Sequence, residues 1–105
     1  MVISAGGFIF NRKMVKTYAP KFKRGFPLGT EADDGTGIRL GQSVGGKIGN
    51  MQRVTAWRFI NPPVALVEGV LVNAGGERIC NETYYGGKVG EHLIERHQGR
   101  GTLVL

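Results

Sequence analysis

Chemistry in this chain can come from three kinds of residue: a glycine-studded stretch, a basic stretch interleaved with aromatics, and a scatter of Tyr, Trp, His and Cys. The glycine stretch, Asp33–Gly46, reads DDGTGIRLGQSVGG and places glycines at 35, 37, 41 and 45 around the expected start of a helix. Gly37, Gly41 and Gly45 lie four residues apart, so a helix would gather them into one bare ridge. Each glycine costs a helix about 1 kcal/mol relative to alanine. A run of them therefore implies that another backbone or a flat ligand comes very close. Close helix packing without any ligand is the plainer of those two explanations.

The chain carries a formal charge of +6, and six of its 14 Lys and Arg fall between Arg12 and Arg24, in NRKMVKTYAPKFKR with Tyr18 and Phe22 between them. Basic residues with stacking aromatics are one signature of nucleic-acid binding. The simpler reading is a solvated, amphipathic surface segment. Two GxxG tetrapeptides, Gly46–Gly49 and Gly87–Gly90, each with an internal lysine, have the form of a KH-domain backbone clamp. Neither sits between two helices in a βααβ frame, as that clamp requires. His92 and His97 are five residues apart and do not share a helical face, so they read as surface histidines and no metal is expected. Cys80 is the single cysteine. It excludes an intrachain disulfide and a cysteine-cluster zinc site, and in Arg78-Ile79-Cys80 it reads as a small core residue.

The elements that must position these residues are legible in outline. The chain has 105 residues, enough for one domain's worth of core at most. Its 18 glycines are far above the usual share, but a hydrophobic fraction of 41% is globular and excludes a disordered tail or a collagen repeat. Val2–Ala5, ended by Gly6-Gly7, is expected to be a short buried strand and a tight turn. Asn11 caps an expected helix over Arg12–Tyr18, with Pro20 beyond its end. Gly25–Thr36 reads as a loop, and Ile38–Val44 as a helix closed by Gly45-Gly46. Gln52–Ile60 is strand-like and is broken by Pro62-Pro63. Val64–Asn73 is β-prone, and Ala74-Gly75-Gly76 turns it into Arg78–Cys80 as a hairpin. Gly87–His97 is expected to be a helix with Leu93 and Ile94 on its apolar side, and Thr102–Leu105 a final strand. No apolar run reaches the roughly 18 residues of a membrane span, and the first residues lack a signal-peptide layout, so a cytoplasmic location is expected.

Four blocks, VISAGGFIFNRKMV, DDGTGIRLGQSVGG, NMQRVTAWRF and GVLVNAGGERICNETYYGG, together resemble one continuous stretch of a known family. It is the FAD-dependent fumarate reductase, succinate dehydrogenase and 3-ketosteroid dehydrogenase group, and the likeness runs from Val2 to Leu105. It implies an α+β fragment of a flavoprotein, with residues 1–50 at the edge of the FAD domain and 51–105 in much of the substrate-capping domain. Apolar segments at both ends agree with a piece of a larger protein, whose unpaired strand edges would favour association between copies. Ala5-Gly6-Gly7 matches the family's A-x-G-G element beside FAD. Gly35-Thr36-Gly37 matches its G-D-G element, with Thr36 where many relatives carry aspartate. The implied cofactor contacts are thus Gly6, Gly7, Gly35, Thr36 and Gly37.

Dicarboxylate enzymes of the group place a histidine and proline where this chain has Trp57-Arg58, and a catalytic arginine after the pair matching Asn81-Glu82. Their absence argues against an anionic dicarboxylate substrate. The ketosteroid branch shows an N-E-x-x-Y-like pattern, which Tyr85 matches best, with Tyr84 as the alternative. Trp57 and Tyr84 would then line an apolar, ring-containing substrate, and Tyr85 would act as a neutral acid or base beside a carbonyl-conjugated carbon. Without the resemblance, Trp57, Tyr84 and Tyr85 read as ordinary core aromatics. The implied parent moves a hydride between flavin and a carbon–carbon bond next to a carbonyl, with a small apolar molecule as its partner rather than nucleic acid or a membrane. The family's dinucleotide fingerprint is not among these residues, so the chain by itself is expected neither to retain FAD nor to turn over. Two rival readings are a small basic nucleic-acid-binding module and a truncated, non-catalytic flavoprotein homologue.

Overall fold

The computed structural model describes residues 1–57 and 68–105. Among them are three α-helices and one two-stranded antiparallel sheet, an α+β content as the sequence implies. In chain order the elements are α1 (Arg12–Tyr18), a 3-10 turn (Pro20–Phe22), α2 (Thr36–Ser43), β1 (Val70–Val72), α3 (Gly86–His97) and β2 (Thr102–Val104). They fall into two compact units, Met1–Val54 and Thr55–Leu105. No helix among the described residues is long and apolar enough to cross a membrane.

In the first unit, α1 begins where expected. The Asn11 side-chain oxygen accepts from the Met14 amide at 3.1 Å, while its amide nitrogen donates to the Asp34 carbonyl at 2.9 Å. One residue thus caps a helix and pins it to a distant loop. Asp33 is the second fastener. Its carboxylate accepts from the amides of Gly7 and Thr30, both at 3.3 Å, and its carbonyl accepts from the Phe10 amide at 3.0 Å. The end of α2 follows from its glycines: Gly45 N–H donates to the Gln42 carbonyl at 3.0 Å and Gly46 N–H to the Gly41 carbonyl at 2.9 Å. That pair of bonds is the Schellman closure, and the left-handed Gly45 (φ +89°) makes it possible.

The second unit is built on a small apolar core of Leu71, Ile79, Val89 and Leu93, with Cys80 and Leu103 packed against it. β1 pairs antiparallel with β2, Val70 opposite Val104, Leu71 opposite Leu103 and Val72 opposite Thr102. The Ala74-Gly75-Gly76 turn forms as expected. The Asn73 side-chain oxygen accepts from the amides of Gly75 (2.9 Å) and Glu77 (3.0 Å), and the far arm makes a single bridge, Val72 with Arg78.

Two expected strands are corrected. Val2–Ala5 is not a strand; Val2 is 92% exposed, and no described residue offers this segment a ladder partner. Ile3 and Ala5 lie against α2 instead, since a Cβ added at Gly37 would stand 2.8 Å from the Ala5 Cβ and 3.1 Å from the Ile3 Cγ2. Residues 52–57 form no strand either. Turn bonds from the Arg53 amide to the Asn50 carbonyl (2.9 Å) and from the Val54 amide to the Gln52 carbonyl (3.1 Å) bend their start. Residues 58–60 of that expected strand, Pro62-Pro63, and residues 64–67 of the β-prone run lie outside the described residues.

The bare ridge of α2 is therefore used unevenly, which makes it testable. At Gly37 a methyl group meets Ala5 and Ile3, whereas at Gly41 it meets only the Ile3 Cδ1, at an ordinary 3.9 Å. Gly41→Ala should stabilise the chain by up to about 1 kcal/mol through helix propensity. Gly37→Ala should lose that gain and destabilise. Urea unfolding followed by circular dichroism reads the opposite signs.

Candidate functional site

The second unit gathers Trp57, Tyr84, Tyr85 and His92 around the start of α3. Tyr85 immediately precedes the helix, and its carbonyl accepts from the amides of Lys88 (2.7 Å) and Val89 (3.2 Å). Its ring lies over the first helical turn because Gly87 is bare; a Cβ there would stand 3.2 Å from the Tyr85 Cε1. Gly90, buried on the same helix, leaves room for the main chain of Ala56, whose carbonyl oxygen an added Cβ would strike. That close approach brings Trp57 to Tyr85, edge to face, with ring centroids 4.4 Å apart and 72° between planes. Tyr84 stacks on His92 at 6.3 Å and 22°. The second GxxG thus serves helix packing, and its glycines are the signal that a segment would lie against this helix.

Exposure overturns the reading of these rings as core aromatics. Trp57 is 42% exposed, Tyr84 48% and Tyr85 69%, while the core of the unit is aliphatic. Aromatic side chains held together yet left open to solvent are available to a ligand.

The residue that sequence reasoning missed is Glu82. It is 6% exposed, and its carboxylate accepts from the Leu71 amide of β1 at 2.7 Å and from Arg78 at 2.6 Å (Nη2) and 3.2 Å (Nε). Hydrogen bonds from Arg78, followed by the one from the Leu71 amide, hold its pKa at about 2 against an ordinary 4.5, overcoming the burial that opposes ionisation. Arg78 and Glu82 four residues apart were the available signal. Beside it, the Asn81 side-chain oxygen accepts from the Thr83 amide (3.0 Å) and hydroxyl (2.8 Å), and the Asn81 carbonyl accepts from the Tyr84 amide at 3.1 Å. Asn81 and Glu82 therefore anchor the loop that presents Tyr84 and Tyr85. Burial pushes the Cys80 thiol up, which leaves it a poor nucleophile.

The first unit brings together the residues that the resemblance assigned to FAD. Gly35 N–H donates to the Gly7 carbonyl at 2.9 Å, so the Gly6-Gly7 loop and the start of α2 are neighbours. Much of the bareness of these glycines is taken up by the protein itself. A Cβ on Gly6 would strike the Asp33 carboxylate, one on Gly35 would strike the Met14 sulfur, and one on Gly37 meets Ala5 and Ile3. Gly7 is different, with open space on its Cβ side. Thr36 is tied at both ends: its amide donates to Asp34 at 2.8 Å, and its hydroxyl accepts from Arg39 at 3.0 Å. The open space at Gly7, beside the first turn of α2, suits a flat group lying against the main chain, with Gly6, Gly35 and Gly37 shaping the loops behind it.

No protein-family model matches the chain. Over 85 residues, 81% of the chain, it is 44% identical to a 3-oxo-5-alpha-steroid 4-dehydrogenase of Comamonas testosteroni. The chain is thus similar in sequence to part of a ketosteroid dehydrogenase. The crystal structure of a 3-ketosteroid-delta4-(5alpha)-dehydrogenase from Rhodococcus jostii RHA1, in complex with 4-androstene-3,17-dione, matches with a TM-score of 0.80 at 27% identity over 94% of this chain. The expected likeness to the ketosteroid branch is borne out. The chain spans 16% of the length of the Comamonas protein and 20% of the Rhodococcus chain.

Two measurements test how this aromatic cluster is held. Because the Glu82 pKa is depressed on folding, its contribution is complete above about pH 4.5 and is lost as pH falls towards 2. Glu82→Gln should flatten that acid limb of the stability curve, and Glu82→Ala, which orphans the Leu71 amide, should cost about 2–3 kcal/mol at neutral pH. Trp57 is the single tryptophan of the chain. Gly90→Ala should therefore change its fluorescence yield and emission maximum by displacing Ala56, whereas Gly76→Ala, in the turn at 73–77, should leave the emission as it is.

Proposed function

We propose that this chain contributes part of the substrate and cofactor sites of a flavin-dependent oxidoreductase acting on a ring-containing ketone of steroid type. The observation that carries the reading is the solvent-open pair of Trp57 and Tyr85, in a chain 44% identical to a steroid 4-dehydrogenase. Trp57 and Tyr84 offer flat apolar faces to fused rings, and an edge-to-face Trp–Tyr pair is a rigid wall that loses little entropy when a ligand arrives. The Tyr85 hydroxyl is the group proposed to give or take a proton at a carbon conjugated with the substrate carbonyl. Tyr84, stacked on His92, is the second candidate for that role.

FAD, when bound, supplies the hydride acceptor and donor chemistry. In this chain Gly7 and the first turn of α2, from Thr36, would meet it, with Gly6, Gly35 and Gly37 keeping the surrounding loops tight. The first unit would then be an edge of the FAD domain and the second a portion of the cap over the substrate. A small apolar ketone, rather than a dicarboxylate, is supported by Trp57 and by the lack in this sequence of the histidine and arginine that dicarboxylate enzymes of the group place at Trp57-Arg58 and after Asn81-Glu82.

A chimera is the direct experiment, with these residues replacing the matching segment of the Comamonas enzyme. It should bind flavin and dehydrogenate a 3-ketosteroid. Within it, Tyr85→Phe should lower kcat by about 10²–10⁴-fold with a smaller change in KM, as loss of an acid–base group does. A folded, flavin-loaded chimera with no steroid turnover would sink the reading. A Tyr85→Phe chimera at full rate would move the proton-transfer role to Tyr84.

A further inference from the structure

Unit one holds a second surface that the steroid reading does not use. Arg12, Lys13, Lys16, Lys21, Lys23 and Arg24 are all exposed, and no acidic residue occurs between Asn11 and Leu28. On α1, Val15 faces inward, while Arg12, Lys13 and Lys16, at spacings of three and four, share the outward face. The Arg12 guanidinium donates to the Lys23 carbonyl at 3.2 Å, which folds the 3-10 turn and its cations back beside the start of the helix. Among the described residues, none of the six cations is in an ion pair, although ion pairs form elsewhere at Arg39, Arg78 and Lys88. Immediately after the cations the chain presents Phe26, 92% exposed, then Pro27 and Leu28, 56% exposed. A turn bond from the Gly25 amide to the Phe22 carbonyl, at 2.9 Å, sets the start of this segment.

We propose that this face, cations from Arg12 to Arg24 with Phe26 and Leu28 beside them, docks the protein on an anionic lipid bilayer. Clustered Lys and Arg supply the attraction to acidic headgroups, and a ring and an isobutyl group standing free in water supply the apolar wedge that enters the headgroup boundary. Either signal alone gives weak, reversible attachment, and two adjacent signals together give a more stable one. Nucleic acid would take the cations as well. It offers nothing to an exposed Leu28, whereas a bilayer takes up both apolar side chains. The sequence by itself assigned this stretch to solvent; the fully exposed Phe26 next to unpaired cations changes that assignment.

The test is co-sedimentation of the chain with phosphatidylcholine vesicles, with and without about 30% phosphatidylserine. Binding to the anionic vesicles should exceed binding to neutral ones by about tenfold or more at 0.1 M salt, and fall by a similar factor at 0.5 M as screening sets in. Phe26→Ser with Leu28→Ser should cut anionic binding about tenfold, as should Lys21→Gln with Lys23→Gln and Arg24→Gln. These side chains are exposed, so circular dichroism should show the fold retained. If a variant did not fold, the lipid and salt dependence of the unaltered chain would decide. Absent binding, equal binding to neutral vesicles, indifference to the Phe26 and Leu28 changes, or tighter salt-dependent binding to duplex DNA than to anionic vesicles would each overturn the proposal.

Discussion

The arrangement of the second unit depends on one buried carboxylate. Glu82 is nearly out of contact with water, and it holds the main chain of β1 through the Leu71 amide while Arg78 balances its charge from the solvent side. Burying a carboxylate is costly unless it is paired and hydrogen-bonded, and here both conditions are met. The geometry also sets direction. With Glu82 fixed under β1, the next residues must leave the core, so the two tyrosines that follow point outward as α3 begins. Removing the clamp would leave the aliphatic core without its tether to the aromatic loop.

The first unit solves a different problem with a similar device. It has few buried apolar side chains, chiefly Val15 and Ala19, and relies on polar fasteners between loops. Asp33 ties the Gly6-Gly7 loop to the Thr30 loop, Asn11 ties α1 to Asp34, and Asp34 holds the first amide of α2 while its own pKa is lowered, first by its bonds with Thr36. Glycines sit where these fasteners press against main chain. A region built in this way keeps its loops close-set and leaves open space at Gly7, which suits a flat group lying against the main chain there.

Helices were the most legible part of the fold. Asn11 before an amphipathic run and Pro20 after it mark α1 to the residue, because capping and proline chemistry are local. Gly45-Gly46 marks the end of α2 for the same reason. Strands were less legible: Val2–Ala5 and residues 52–57 have β-like composition, but a strand needs a partner that composition does not supply. The β1 pairing with residues 102–104 was hidden too, since it joins segments some thirty residues apart in the chain. Tyr85 and Trp57 were singled out through resemblance alone, and their mutual contact rests on Gly87 and Gly90, whose packing role is visible only in three dimensions. Glu82 escaped because an acidic residue in a polar run reads as surface.

The contact between Gly90 and the Ala56 carbonyl also bears on how such a sequence can drift. A glycine has nothing left to remove, so every replacement at this position adds atoms to a gap already closed by main chain. Change there runs in one direction: it can push the 55–57 segment outward, and it can never draw that segment nearer to the helix. Lineages that vary at this position would widen the space between Trp57 and Tyr85, in steps set by side-chain size. The spacing of these two rings would then be inherited through a glycine that is part of neither.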